Sequence, residues 1–358
     1  MKNIWLAVGV VCVVTAVALV SRSPVHAGEI ASPYTVLAPI RHGNLTVFPV
    51  AAAKSHDTGG FITLDEGLKS GEVVVTESGS ASPLVRPRPH EQWSRPQPGP
   101  QVNQLVLINN SKRPLILLAG EIVTGGKQDR VIAKDRIVPA QSDPIDLGVF
   151  CVEHGRWTGA SSNFGYSGGV MLQPGVRAKA MADKDQREVW AEVGKAKQAV
   201  AGPAPPPALN STTSYARVMQ NDEVKKQVDA VAEPIQRNYE SLIKQLHDRN
   251  AVGVVVAVNG QIVWADMFAS TQLLEKYWPK LIRSYAAEAV VNTGKSREVD
   301  TKAAQQFLDD LEGRHETIES EPGLYRHTEV AGDGFRAFEL TSLIPKTGFD
   351  LHVAKMAE

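Results

Sequence analysis

The order in which hydrophobic periodicities occur along the chain constrains its fold more than any other feature. From Pro33 to Trp157 the apolar residues come in short runs, at 45–50, 72–76, 105–108, 114–118, 136–138 and 145–150. These runs are β-branched and aliphatic and are bounded by Gly, Asn, Ser and Asp clusters, which predicts strands. Leu64 and Leu68, four apart and followed by Gly71, predict a short helix over 63–69. A Gly/Ser-rich connection at 158–169 reads as a flexible loop, and beyond it helical periodicity takes over. Val189, Trp190, Val193, Ala196 and Val200 share one helical face that ends at Gly202-Pro203. Val224, Val228, Val231, Ile235, Tyr239, Leu242 and Leu246 form a longer stripe, with Pro234 either kinking it or opening a new helix. Ser270 caps a third helix, carrying Leu273 to Ala289 and interrupted by Pro279, and a fourth holds Ala303 to Leu311. Asn259-Gly260 supplies the two positive-φ residues of a tight hairpin between strands at 251–258 and 261–268. Short strands return after His315. Strands, then helices, then strands, without regular alternation, predict an α+β fold: a β-rich half at 28–157 packed with a mixed helix and hairpin half at 158–358, integrated as one domain over 36–354.

Residues 1–27 read as a secretory signal. Lys2 provides the positive start, no charge interrupts the run from Ile4 to Val20, and Val25-His26-Ala27 suits a cleavage site. The protein is therefore expected in the periplasm or outside the cell, with no stable membrane insertion after cleavage; an uncleaved anchor is the alternative. Cys12 leaves with the signal. Cys151 then has no cysteine partner, so no intramolecular disulfide forms and stability must come from packing. The mature chain has 36 basic against 39 acidic residues once Lys2 and Arg22 are removed. That balance lacks the basic face that nucleic-acid binding requires. Six prolines between Ser82 and Pro100 describe an extended surface excursion.

Two clusters could carry chemistry. The first runs from Gly120 to Arg136 and contains Gly120-Glu121, Gly125-Gly126-Lys127-Gln128-Asp129-Arg130 and Asp135-Arg136; its glycines would let backbone approach a bound group while Lys127 and Arg130 neutralise a phosphate or carboxylate. The alternative is a polar hairpin turn. Spacing matches neither a Walker loop nor a dinucleotide fingerprint. The second is Cys151-Val152-Glu153-His154-Gly155-Arg156-Trp157, where Glu153 and Arg156 can pair and Trp157 can stack. Its Cys-to-Arg spacing is one residue short of a phosphatase loop, and no helix start follows to activate a thiolate. Gly165-Tyr166-Ser167-Gly168-Gly169 matches a nucleophile elbow in letters, but neither the strand before it nor the helix after it is evident. His154, His247, His315, His327 and His352 are scattered, so no metal site and no cofactor is expected.

The order of several short pieces resembles a known domain family. These are Asn109-Asn110-Ser111-Lys112-Arg113-Pro114-Leu115, Gly120-Glu121, Gly126-Lys127-Gln128 with Arg130, the Cys151 to Trp157 segment, Asp185-Gln186 with Val189-Trp190, Gly253 with Asn259-Gly260, and Leu281 to Ala286. The family is named for its association with ADP-ribosylglycohydrolases and rhodanese-like phosphatases. The resemblance implies an ADP-ribose-type or related phosphorylated ligand by association alone. It places the family's polar residues at Glu121, Lys127, Gln128, Arg130, Glu153, Arg156, Trp157, Ser284 and Tyr285. Asp129, where an Asn is expected, the proline-rich excursion and the leader depart from the pattern.

Two functional expectations follow. In the first, Lys127, Gln128, Arg130, Arg156, Trp157, Ser284 and Tyr285 bind an anionic small molecule, and Glu121 or Glu153 orients it or acts as general base for a metal-independent hydrolysis. In the second, the same residues hold the β-rich half together in a non-catalytic envelope protein whose partner is protein or glycan.

Overall fold

Asn259 and Gly260 take φ of +55° and +78°, as a two-residue turn between strands requires. The hairpin they close lies at the centre of the larger of two β systems. The structure is a computed structural model that describes residues 33–80, 101–159, 161–203, 205–246, 249–295, 297–310 and 313–358, the backbone alone at 313–320. The leader and the excursion at 82–100 lie outside the described residues.

The larger system contains β1 (Tyr34–Val36), β2 (Ile40–His42), β3 (Leu45–Ala52), β13 (Asn250–Val258), β14 (Gln261–Phe268), β15 (Gly313–Glu321), β16 (Tyr325–Gly332), β17 (Phe335–Ser342) and β18 (Asp350–Ala357). Its order is β1-β3-β13-β14-β18-β17-β16-β15, with β2 also on β3, and every pairing is antiparallel. Strands from both ends of the sequence thus share one sheet. β13 is covered on both sides: Val254, Val256 and Val258 face one core, while Val252, Val255 and Ala257 face another. Alternation along a strand sends successive side chains to opposite faces, and here both faces are apolar.

Helices α6 (Asp222–Ile243) and α7 (Thr271–Val291) contribute to the first core and α8 (Thr301–Asp309) to the second. Asn221 caps α6 and Ser270 caps α7 through side-chain oxygens. Both helices run through a proline: Pro234 opens no new helix and Pro279 does not interrupt α7. A stacked pair, Tyr239 on Trp278 at 4.1 Å, joins the two helices near those positions, and packing of this kind outweighs the one backbone bond a proline removes. Leu246 falls beyond the end of α6.

The smaller system is a closed barrel of β5 (Val73–Glu77), β6 (Gln104–Asn109), β8 (Glu121–Gly125), β9 (Arg130–Ile132), β11 (Ile145–Cys151) and β12 (Asn163–Met171) in the order β11-β6-β5-β12-β8-β9. Val75, Leu105, Leu107, Val123, Ile132 and Val149 belong to its core. A side sheet carries β4 (Ile62–Thr63), β7 (Leu115–Leu117) and β10 (Arg136–Val138). The expected helix at 63–69 is α1 (Leu64–Ser70), opened by a Thr63/Glu66 capping box. β12 corrects the loop expected at 158–169. Its glycines conceal the strand, which is specified by β5 on one side and β8 on the other, the usual dominance of tertiary context over β-propensity. Connecting helices are α2 (Pro174–Ala178), continued by a π-helical turn at Lys179–Asp183, then α3 (Gln186–Ala201), α4 (Pro207–Asn210) and α5 (Tyr215–Gln220). Residues 33–358 form one compact unit.

Candidate functional site

Neighbouring strands of the barrel are antiparallel, so one rim collects the ends of β5, β8 and β11 and the starts of β6, β9 and β12. Residues 125–130 of the first sequence cluster meet the second there, while Glu121 and Asp135 of the first lie elsewhere, on Lys280 and His352. Glu153 accepts from the Arg156 Nη2 at 2.7 Å and from the backbone N–H of Asp129 at 3.1 Å. The Asp129 carboxylate accepts from Gly125 N at 3.0 Å and from Ser214 Oγ at 2.5 Å. Gln128 donates to the Glu153 carbonyl at 2.8 Å. Arg156 also donates to the carbonyls of Gly125, Gly126 and Thr158. Arg130 is fully buried and donates to Val102 O and Gln128 O. The backbone N–H of Lys127 donates to Glu77 at 2.7 Å. Gln128, Asp129, Arg130, Glu77 and Glu153 are therefore joined to one another and sealed from solvent.

The glycines serve this closure. A Cβ on Gly126, whose φ is +49°, would lie 2.2 Å from the Phe164 ring, and one on Gly125 would lie 2.8 Å from the Asn163 carbonyl. They let the β8–β9 turn approach β12, where the sequence suggested approach to a ligand. Burial raises the Asp129 carboxyl and lowers the Arg130 guanidinium, each against opposite charges nearby. Trp157 is 42% exposed and Val102 is 40% exposed, the two exposed large hydrophobic side chains among the described residues; they stand on the rim beside exposed His154 and Thr158, with Lys127 and Arg156 half-buried. Arg130 lies 5.8 Å from the centre of the Trp157 ring.

Glu121, at the other end of β8, is roughly 13 Å along the strand from Gly125 and does not share a site with Glu153. It accepts from Lys280 at 2.5 Å and from Leu118 N at 2.7 Å, 2% exposed. Burial raises its carboxyl, while Lys280 pulls it back. Ser284 donates to the Leu172 carbonyl at 2.6 Å. Tyr285 joins a wholly buried network absent from the sequence expectations. Arg177 grips Asp266 with two bonds of 2.9 and 3.0 Å, Tyr285 donates to Asp266, and His352 bridges Asp135 at 2.5 Å and Asp266 at 3.1 Å. Asp266 interrupts an apolar strand, and such a charge, never left unpaired in a core, was the available signal. The network joins α2, α7, β14 and β18 to the loop before β10. Gly120 completes it: at φ +94° a Cβ would lie 2.8 Å from the Arg177 side chain.

A family model for the ARG and Rhodanese-Phosphatase-superfamily-associated Protein domain, ARPP-1, matches residues 33–354. The chain belongs to this family. No curated protein and no solved structure matches it. In this ARPP-1 domain several motif residues have structural partners. The Gln186 amide both accepts from Cys151 N at 2.8 Å and donates to Cys151 O at 2.9 Å, tying α3 to the end of β11. Asp185 caps α3. Gly253 lets β13 pass Met267, where a Cβ would lie 2.3 Å from sulfur. Among the described residues of the ARPP-1 domain, no three His, Cys, Asp or Glu side chains are placed to hold a metal ion, and no helix is long and apolar enough to cross a membrane.

The Cys151 thiol of the ARPP-1 domain donates to Val102 O, and burial pushes it up to about 11 although Arg130 opposes the shift. The thiolate is the reactive form. Cys151 is therefore expected to resist iodoacetamide at pH 8 for hours in the native protein and to react within minutes in denaturant. Mass spectrometry of the two reactions decides it, and rapid native alkylation would contradict the burial. Ser167, the central residue of the elbow-like motif, is also buried and donates to Val170 O within a bulge of β12.

Proposed function

We propose that the protein is a non-catalytic binding domain of the cell envelope whose barrel rim presents Trp157 and Val102 to a protein partner. The observation that carries this reading is a division of labour on one surface. Beneath the rim Arg156 pairs with Glu153 and Asp129 and Arg130 is held by backbone carbonyls, while Trp157 and Val102 are the large hydrophobic side chains it exposes. An aromatic anchor on a rigid scaffold is the usual energetic centre of a protein interface, because little freedom is lost when it docks. Hydrolysis by paired carboxylates finds less support, since Glu121 and Glu153 stand at different ends of β8 and each is held by a cation. The charge-free run after Lys2 supports export as part of the same proposal.

The test is photo-crosslinking in the producing cell with a benzophenone amino acid in place of Trp157, and at exposed Arg187 as a control. A discrete crosslinked protein from position 157 alone, removed by the additional change Val102→Ser, is expected. The reading fails if position 157 yields no more product than position 187. It also fails if the purified domain turns over ADP-ribose or a sugar phosphate and Glu153→Gln abolishes that turnover.

A further inference from the structure

Away from the rim, a cavity of about 310 Å3 lies between the barrel wall, the π-helical turn and the large sheet. Leu147, Phe150, Met181 and Phe338 line it, each 9% exposed or less. Its charged lining is Lys134, Arg136 and Lys184 against the single carboxylate Glu329. We propose that this cavity binds a small amphipathic carboxylate, its apolar body against the four hydrophobic side chains and its carboxylate at Arg136 and Lys184.

Size sets the scale of the ligand. The volume is at the small end of small-molecule sites and equals the liquid volume of about ten waters, which suits a short alkyl or single-ring acid. Charge sets its sign, because Lys134, Arg136 and Lys184, with Arg336 behind Glu329, outnumber Glu329 and the Glu321 that pairs with Arg136. Donors are available at low cost. Arg136 bonds Glu321 and the Asp146 carbonyl, each at 2.8 Å, but its Nε is buried without a partner. Such a group loses roughly 1–3 kcal/mol until an acceptor reaches it. Lys184 is 52% exposed and pairs with the largely buried Glu329 at 2.8 Å. Glu329 has a second cation, Arg336, at 3.5 Å, so Lys184 can turn to a ligand without stranding it. The backbone adds an independent observation. Met181 belongs to the π-helical turn, and Lys184 at its end is held at φ +53°. π-Turns are rare and concentrate at functional sites.

Octanoate, octylamine and octan-1-ol serve as probes of the purified full chain, by calorimetric titration at pH 7.5. Octanoate is expected to bind at least about tenfold more tightly than the amine or the alcohol, a difference of about 1.4 kcal/mol. Met181→Trp fills the cavity and is expected to abolish octanoate binding. Lys184→Gln, on the surface and safe for folding, is expected to weaken octanoate about tenfold and leave octanol unchanged. Octanol binding as tightly as octanoate would remove the carboxylate from the proposal. No octanoate binding at millimolar concentration, or binding that Lys184→Gln leaves unaltered, would overturn it.

Discussion

Arg177→Met is expected to destabilise the fold by about 3–5 kcal/mol, the loss typical when one partner of a buried pair is removed, and to lower Tm by roughly 4–7 °C. Arg177 and Asp266 both have no solvent exposure, so the carboxylate left behind cannot recover its hydration. Met keeps much of the volume beside Trp264, whose ring lies 4.4 Å from the guanidinium, and the loss is therefore electrostatic more than steric. The double variant Arg177→Met/Asp266→Asn tests that cause. It neutralises the stranded group and is expected to lose less than the sum of the two single changes. Urea unfolding of the four proteins measures the coupling. A single Arg177→Met within 1 kcal/mol of wild type would show that the network carries little of the fold.

Stability is also expected to fall as pH rises from 6.5 to 8, through His352. Burial disfavours its charged form, but Asp135 and Asp266 outweigh burial and raise the imidazole to about 9, above the roughly 6.5 of an unfolded chain. A group raised in this way contributes fully below the unfolded value and loses its contribution as pH climbs through the folded one. The full contribution is about 3 kcal/mol, of which about half disappears between pH 6.5 and 8. Asp266 has the opposite sign: Arg177 and His352 hold it far below the usual carboxylate range, so its contribution exists above about pH 4 and vanishes in acid. Lys355, lowered to about 8 by burial, begins to offset His352 above that pH, which makes 6.5–8 the diagnostic window. Wild type and His352→Gln, unfolded in urea at several pH values, should differ in slope. Equal slopes would mean that His352 carries no proton in the native state at neutral pH.

The elements that local chemistry specifies were legible in the sequence, and those that depend on distant partners were not. Asn259-Gly260 dictates its own turn, and the Thr63/Glu66 capping box dictates the start of α1. β12 needs both its neighbours before it becomes a strand, and nothing in Asn163 to Gly169 signals them. The polar motif at the rim was visible as a cluster. Beyond the Glu153–Arg156 pair its inward bonding was not, because Ser214 and Glu77 reach it from other parts of the chain. The same limit hid Asp266, Arg177, Asp135 and His352, which lie in four separate segments and meet only when the barrel docks on the sheet.

β3 has a consequence for how the polypeptide is made. Its ladder on β13 joins Ala52 to Asn250, 198 residues later, and loop closure over that distance comes late in folding. During synthesis the early strand remains an unfilled template while most of the protein is still inside or upstream of the ribosome. That edge is covered only once β13 has been made, after residue 258, so maturation waits on the start of the last third of the chain, and a holding chaperone suits the interval before then.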